Sequence, residues 1–510
     1  MMKTWISCVC VLLSGIVGLV STSTAQTLRV EGGRITGTRQ GNVRSYKGIP
    51  FAAPPVGNLR WKAPQPVLPW KGVRTCTTFG PSPMQPSPVP FSMWSQEFLI
   101  PKEPISEDCL YLNVWTAARK DEKRPVLVWI YGGGFSGGGS AVPIYDGTAM
   151  AAKGIVFVSF NYRVGPFGFF AHPELTQESG HHASGNYGLM DQIAALRWVQ
   201  KNIAAFGGDP TNVTIAGQSA GSMSVNSLVA SPLARHLFHK AIAESGASFA
   251  RPLANLKTAE ESGVHAMHTL GAASLAELRR KPATDIQRMA TAVRGPIVDG
   301  YILPETIAQL FAAGKQNPVV LLTGWNQEEG LLQSPLKTAE MYRQYLQQQY
   351  GSEATSLLAF YPAHTEEQAV TSQYNLSRDL MFGIQNYAWA QMQSQQGQPV
   401  YVYRFTRKVP GTGEYAKYGA FHTGEVAYAY DNLKFIDRPW QQVDHELARI
   451  MSGYWLNFIK TGNPNGKGLP TWPVYENRSK SIMDLGDQVQ TRPLPDAAAL
   501  EFLYHLQKQN

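Results

Sequence analysis

Asn212-Val213-Thr214-Ile215-Ala216-Gly217-Gln218-Ser219-Ala220-Gly221 is the stretch on which the reading of this chain turns. Val213, Thr214 and Ile215 are two β-branched apolar residues around a β-branched polar one, which predicts a strand. Small and apolar residues free of proline follow Gly221 and predict a helix. Between a strand and a helix, Gly-x-Ser-x-Gly is a sharp turn that lifts the serine hydroxyl clear of the sheet. A side chain at either glycine would clash in that turn, and the helix that follows points its first N–H groups toward the serine. Ser219 is therefore the candidate nucleophile.

A serine hydroxyl needs a base to become reactive, and the carbonyl it attacks needs donors for its developing negative charge. Tyr131-Gly132-Gly133-Gly134 follows the apolar run 125–131 and offers such donors, because glycines let the backbone come close to a ligand. The N–H groups of Gly133, Gly134 and Ala220 are the candidate oxyanion donors. Further apolar runs at 154–160, 240–243, 318–322 and 399–405 predict strands. Residues 191–205 and 445–460 carry apolar positions at helical spacing, and the second run stops at Gly462 with Pro464 beyond. Strands alternating with helices predict an α/β fold with a mostly parallel central sheet flanked by helices. The segments 251–294 and 333–396 break this rhythm and are expected as helical insertions over the strand ends. No Pro/Ser linker divides the chain, so residues 26–510 are expected to form one domain.

Of 510 residues, 44% are hydrophobic and 16% charged, which excludes intrinsic disorder. The net charge of +8 is scattered, and its densest run, Arg119 to Arg124, contains Asp121 and Glu122; no nucleic-acid site is expected. Lys3, the apolar stretch from Trp5 to Val20 and Ser23-Thr24-Ala25 predict a cleaved signal peptide over residues 1–25, with secretion or periplasmic export and no retained membrane span. Cleavage leaves Cys76 and Cys109, an even pair in an exported protein, so a disulfide is expected. It would close a loop of about 33 residues and stabilise the fold by roughly 3–4 kcal/mol. Glu261, His265 and His268 fall on one helical face, a spacing that arises readily by chance on a surface helix. No metal or other cofactor is expected, and the oligomeric state is not readable.

Phe206-Gly207-Gly208-Asp209-Pro210 leading into Gly217-Gln218-Ser219-Ala220-Gly221 resembles the active-serine signature of type-B carboxylesterases, the cholinesterase-like α/β-hydrolases. Glu107-Asp108-Cys109-Leu110-Tyr111-Leu112-Asn113-Val114 resembles their second signature. Tyr46-Lys47-Gly48-Ile49-Pro50 and Asn161-Tyr162-Arg163 also match family segments, and the resemblance runs from about Val30 to the C-terminus. It implies an α/β-hydrolase fold, hydrolysis of a small-molecule carboxylic ester through an acyl-enzyme on Ser219, and no cofactor.

The resemblance also implies the other site residues. Gly324-Trp325-Asn326-Gln327-Glu328-Glu329-Gly330 matches the segment carrying the family's acid, which makes Glu329 the acid and Glu328 a solvated neighbour. His422-Thr423-Gly424-Glu425 matches the segment of the general base, which makes His422 that base; Glu425 is expected near Ser245. Trp94 resembles the family's gorge tryptophan and, with Phe135, is expected to line the substrate pocket. The region aligned with the acyl pocket, Ala290 to Arg294, begins with small residues. Two positions depart from the family pattern: Gln218 stands where glutamate is usual, and the place of the usual first cysteine, near Pro83 or Met84, holds none. Related folds include non-catalytic adhesion proteins with a broken triad, and the triad alone does not distinguish ester from amide or thioester cleavage.

Overall fold

The computed structural model describes residues 22–509 apart from 120, 251–252, 294 and 333–334. The expected leader lies outside these residues as far as position 21. Twelve strands form the main sheet. In chain order they are β1 (Thr22–Thr24), β2 (Thr38–Gln40), β3 (Val43–Pro50), β4 (Tyr111–Thr116), β5 (Arg124–Ile130), β6 (Val156–Phe160), β7 (Gly208–Gln218), β8 (Lys240–Glu244), β9 (Val320–Asn326), β10 (Val400–Phe405), β11 (Ser481–Leu485) and β12 (Val489–Pro493). Their order across the sheet is β1-β2-β3-β4-β6-β5-β7-β8-β9-β10-β11-β12. From β6 to β11 neighbours run parallel, while β4 pairs antiparallel with β6 and β12 antiparallel with β11.

The parallel strands are buried on both faces, which is why they read as unbroken apolar runs in place of alternating ones. Val126 to Ile130 on β5 and all of β6 and β8 are buried. Helices cover the sheet: α1 (Tyr187–Asn202), α2 (Ala220–Ala230), α3 (Ile384–Gln395) and α4 (Gln442–Thr461). Helix α4 starts at a reciprocal cap between Gln441 and Asp444 and ends at Gly462, whose φ of 80° stops it. The predicted strands and both long helices are found, with ends moved by a few residues. The helical insertions expected over 251–294 and 333–396 are present as short helices, among them Leu256–Thr269 and Glu366–Arg378. Strand β4, inside the segment read for its signature, and the strands β1 to β3, β11 and β12 come in addition to those the sequence predicts.

The disulfide expectation is corrected: both Cys76 and Cys109 are free and buried. Cys76 sits where a small sheet meets β3, its N–H donating to Thr36 and its carbonyl accepting from Lys47. Cys109 lines a small cavity of about 10 Å³ together with Arg163 and Met84. Burial raises both thiols above their ordinary range, Cys76 to about 11. Ala25, the last residue of the expected leader, is buried, and its N–H donates to Gly37 O at 2.9 Å. Among the described residues no helix is long and apolar enough to cross a membrane.

Candidate active site

The candidate residues converge beyond the carboxyl ends of the parallel strands, where an open α/β sheet places its ligand crevice. Ser219 follows β7 and immediately precedes α2, with φ 58° and ψ −124°. That conformation is costly for an L-residue and persists because its surroundings over-determine it. The Ser219 N–H donates to Glu244 O on the neighbouring strand, and its carbonyl accepts from Met223 N, both at 2.9 Å. Gly221 is required by close approach: a Cβ there would fall well inside contact distance of the Ile130 carbonyl oxygen.

The glycine loop after β5 lies against Ser219. A Cβ on Gly132 would be 3.0 Å from the Ser219 Cβ. Gly133 and Gly134 have φ values of 119° and 60°, which only glycine adopts freely. Among the described residues none of the N–H groups of Gly133, Gly134 and Ala220 is committed to a protein acceptor, so all three are free to donate to an oxyanion. The start of the loop is locked by Tyr131 and Tyr162, whose rings stack at 4.5 Å and whose hydroxyls each donate to the other's carbonyl.

Glu329 and His422 come together from the loops after β9 and β10, with Glu329 Oε2 2.9 Å from His422 Nδ1 and both side chains buried. Asn326 organises the contact. Its N–H donates to Glu329 Oε1 at 2.8 Å, and its side-chain amide donates to Phe421 O at 2.8 Å and to Glu425. One asparagine thereby ties the acid's loop to the imidazole's loop. Glu328 is exposed as expected, yet it too is engaged: its carboxylate accepts the Ala420 N–H at 2.8 Å, two residues before His422. The expected contact of Glu425 with Ser245 is corrected. Glu425 bonds Asn326, and Ser245 Oγ has no partner among the described residues.

Phe382 stacks on the His422 ring with centroids 4.4 Å apart and planes 16° from parallel, and Trp94 meets the same ring edge-on at 6.2 Å. Trp94 is thus brought to the His422 ring. Phe382 lies in a region read only as helical, and no spacing could have singled it out. Phe135, next after the glycine loop, has a φ of 61° and a buried ring held against Phe169 and Gly295. Ala290 lies on the turn Gln287–Ala292, close before Gly295 in the chain; Arg294 is outside the described residues.

Behind the acid lie two further carboxyls with no exposed surface. Glu244 accepts from Tyr430 at 3.0 Å and Trp455 at 2.7 Å, both on one oxygen. Burial pushes it up to about 7 against those two hydrogen bonds. Burial and the negative charges of Glu244 and Glu329 push Glu425 well above the ordinary carboxylate range.

A serine on a strained turn, free N–H groups beside it and a buried imidazole–carboxylate pair are the parts of an acyl-transfer site. The sequence pattern of the carboxylesterase family matches residues 24–503. This chain belongs to the carboxylesterase family. It is 38% identical over 478 residues to the fumonisin B1 esterase of Sphingopyxis macrogoltabida, covering 88% of this chain and 84% of that one. It is 35% identical over 505 residues to the para-nitrobenzyl esterase of Bacillus subtilis (strain 168), covering 94% and 99%. A solved PNB esterase structure superposes with a TM-score of 0.82 at 32% identity, covering 94% of this chain and 99% of that one. The carboxylesterase described here is accordingly an α/β-hydrolase and a serine carboxylic-ester hydrolase.

Proposed function

We propose that Ser219, His422 and Glu329 are the triad of this carboxylesterase and that Gly133, Gly134 and Ala220 supply its oxyanion donors. The 2.9 Å contact between His422 and Glu329, on loops that meet the strained Ser219 turn, carries this reading. His422 removes the Ser219 proton as Oγ bonds to the ester carbonyl carbon. The three N–H groups stabilise the oxyanion, and collapse breaks the bond to the alcohol oxygen, which leaves with the proton from His422. Water then attacks the acyl-enzyme by the same route and frees the acid. Glu329 holds Nδ1 so that Nε2 faces the reaction, and stabilises the imidazolium.

The substrate is a small-molecule carboxylic ester. The small residues from Ala290 onward, with Phe135 held back against Phe169, support an acyl pocket that takes groups larger than acetyl. The test is hydrolysis of p-nitrophenyl acetate, butyrate and octanoate by the wild type and by Ser219→Ala. The expected result is turnover of all three esters that falls by at least about 10³-fold in the variant. A variant as active as the wild type overturns the nucleophile, and activity confined to acetate overturns the pocket.

Export after cleavage of the leader, with residues 26–510 as one catalytic domain, rests on the sequence. Intact mass of the secreted or periplasmic protein tests it, and a mature chain beginning near Gln26 is expected.

A further inference from the structure

The proposed mechanism leaves Gln218, next to the nucleophile, without a task, although its side chain is buried against the imidazole. Its amide nitrogen is 3.2 Å from His422 Nε2 and 3.4 Å from Nδ1. Nearly equal distances to the two ring nitrogens place the amide over the ring face and off the lone-pair axis of either nitrogen, an N–H···π contact. Phe382 covers the ring by stacking. The Gln218 carbonyl oxygen accepts from Thr423 Oγ1 at 3.3 Å, and Thr423 Oγ1 accepts from the Trp94 indole N–H at 3.2 Å. Thr423 has a φ of 83°, a rare backbone state for a β-branched residue. Such strain is held only where the surroundings impose it.

We propose that Gln218 and Thr423 are positioning residues for the catalytic imidazole, a clamp that fixes the ring between the amide and Phe382 and links it to Trp94 of the substrate pocket. The inference rests on His422 being the general base. A neutral amide at 218 orients the ring without placing a charge on it. Glu329 is the ionisable group bonded to His422, with Glu425 and Glu244 behind it. The other acids on elements packed against the ring are engaged elsewhere: Asp379 with Arg378 and Tyr361, Glu328 with Ala420, and Glu97 with Ser95. Gln218→Glu, nearly isosteric, therefore adds a second negative charge against the imidazole and favours its protonated form.

The experiment measures kcat and KM for p-nitrophenyl butyrate from pH 5 to 9 in the wild type, Gln218→Glu, Gln218→Ala, Thr423→Val, the Gln218→Ala/Thr423→Val double variant and His422→Asn. The acid limb of kcat/KM is expected to move up by about one to two pH units in Gln218→Glu, because a base that protonates more readily is lost at higher pH. In Gln218→Ala, kcat is expected to fall about tenfold with KM within about twofold. The double variant is expected to lose little more than either single variant, since both act through one ring. An acid limb unmoved in Gln218→Glu, or losses that multiply in the double variant, overturns the clamp. Full activity in His422→Asn would instead overturn the base assignment, which keeps the two failures distinct.

Discussion

Glu244→Gln should make this esterase more resistant to unfolding above neutral pH while leaving it unchanged near pH 4.5. Glu244 ends the strand beside the Ser219 turn, has no exposed surface and faces no cation among the described residues. It ionises near 7 in the fold, against 4.5 for an ordinary glutamate, because burial penalises the charge. The folded state therefore holds its proton more tightly than the unfolded chain does. As pH rises from about 4.5 to about 7 the unfolded chain releases that proton first, and stability falls across this window. At about 1.4 kcal/mol per pH unit the loss is on the order of 3 kcal/mol. Glutamine retains an oxygen for the Tyr430 and Trp455 donors and has no proton to lose. Urea unfolding followed by tryptophan fluorescence at pH 4.5, 6, 7 and 8 measures the effect. The stability difference, variant minus wild type, should grow by about 3 kcal/mol from the lowest pH to the highest. Curves that run parallel to within about 0.5 kcal/mol would refute the reasoning, for Glu244 would then ionise alike in both states.

Glu329→Gln should lower kcat by about 10³–10⁴-fold with KM little changed, while Glu328→Gln, which keeps an acceptor for Ala420, should stay within about threefold; equal losses in steady-state kinetics would reverse the two assignments. Gly221→Ala drives a Cβ into the Ile130 carbonyl and should abolish soluble, active protein; purified variant with a wild-type Tm and activity would show the turn to be less crowded than described. Alkylation in denaturant without reductant should label Cys76 and Cys109 in full, as read by peptide mass, and protection of both would restore the bridge.

The strand–turn–helix at Ser219 was legible because everything it requires is local: β-branched residues, two glycines and a helix without proline within twenty positions. The buried strands were legible for the same reason, since a parallel strand covered on both faces is a run of apolar residues. Their pairing was not, because β5 and β7 are neighbours in the sheet although β6 lies between them in sequence. Glu329 and His422 could be named from family segments, but their contact spans 93 positions and depends on Asn326 holding two loops together. The pairing of Cys76 with Cys109 failed because an even count of thiols says nothing about distance or orientation.

The fold class, the strand–turn–helix that presents Ser219 and the glycine loop beside it could be read from residue order, because local backbone sterics and short-range patterning specify these features. What surrounds the imidazole came from the tertiary fold: Phe382 stacked on the ring, Gln218 over the ring face, and two further carboxyls buried behind Glu329. These are contacts between segments tens to hundreds of residues apart. Burial and charge at such a site are set by how the loops pack, which no local pattern encodes.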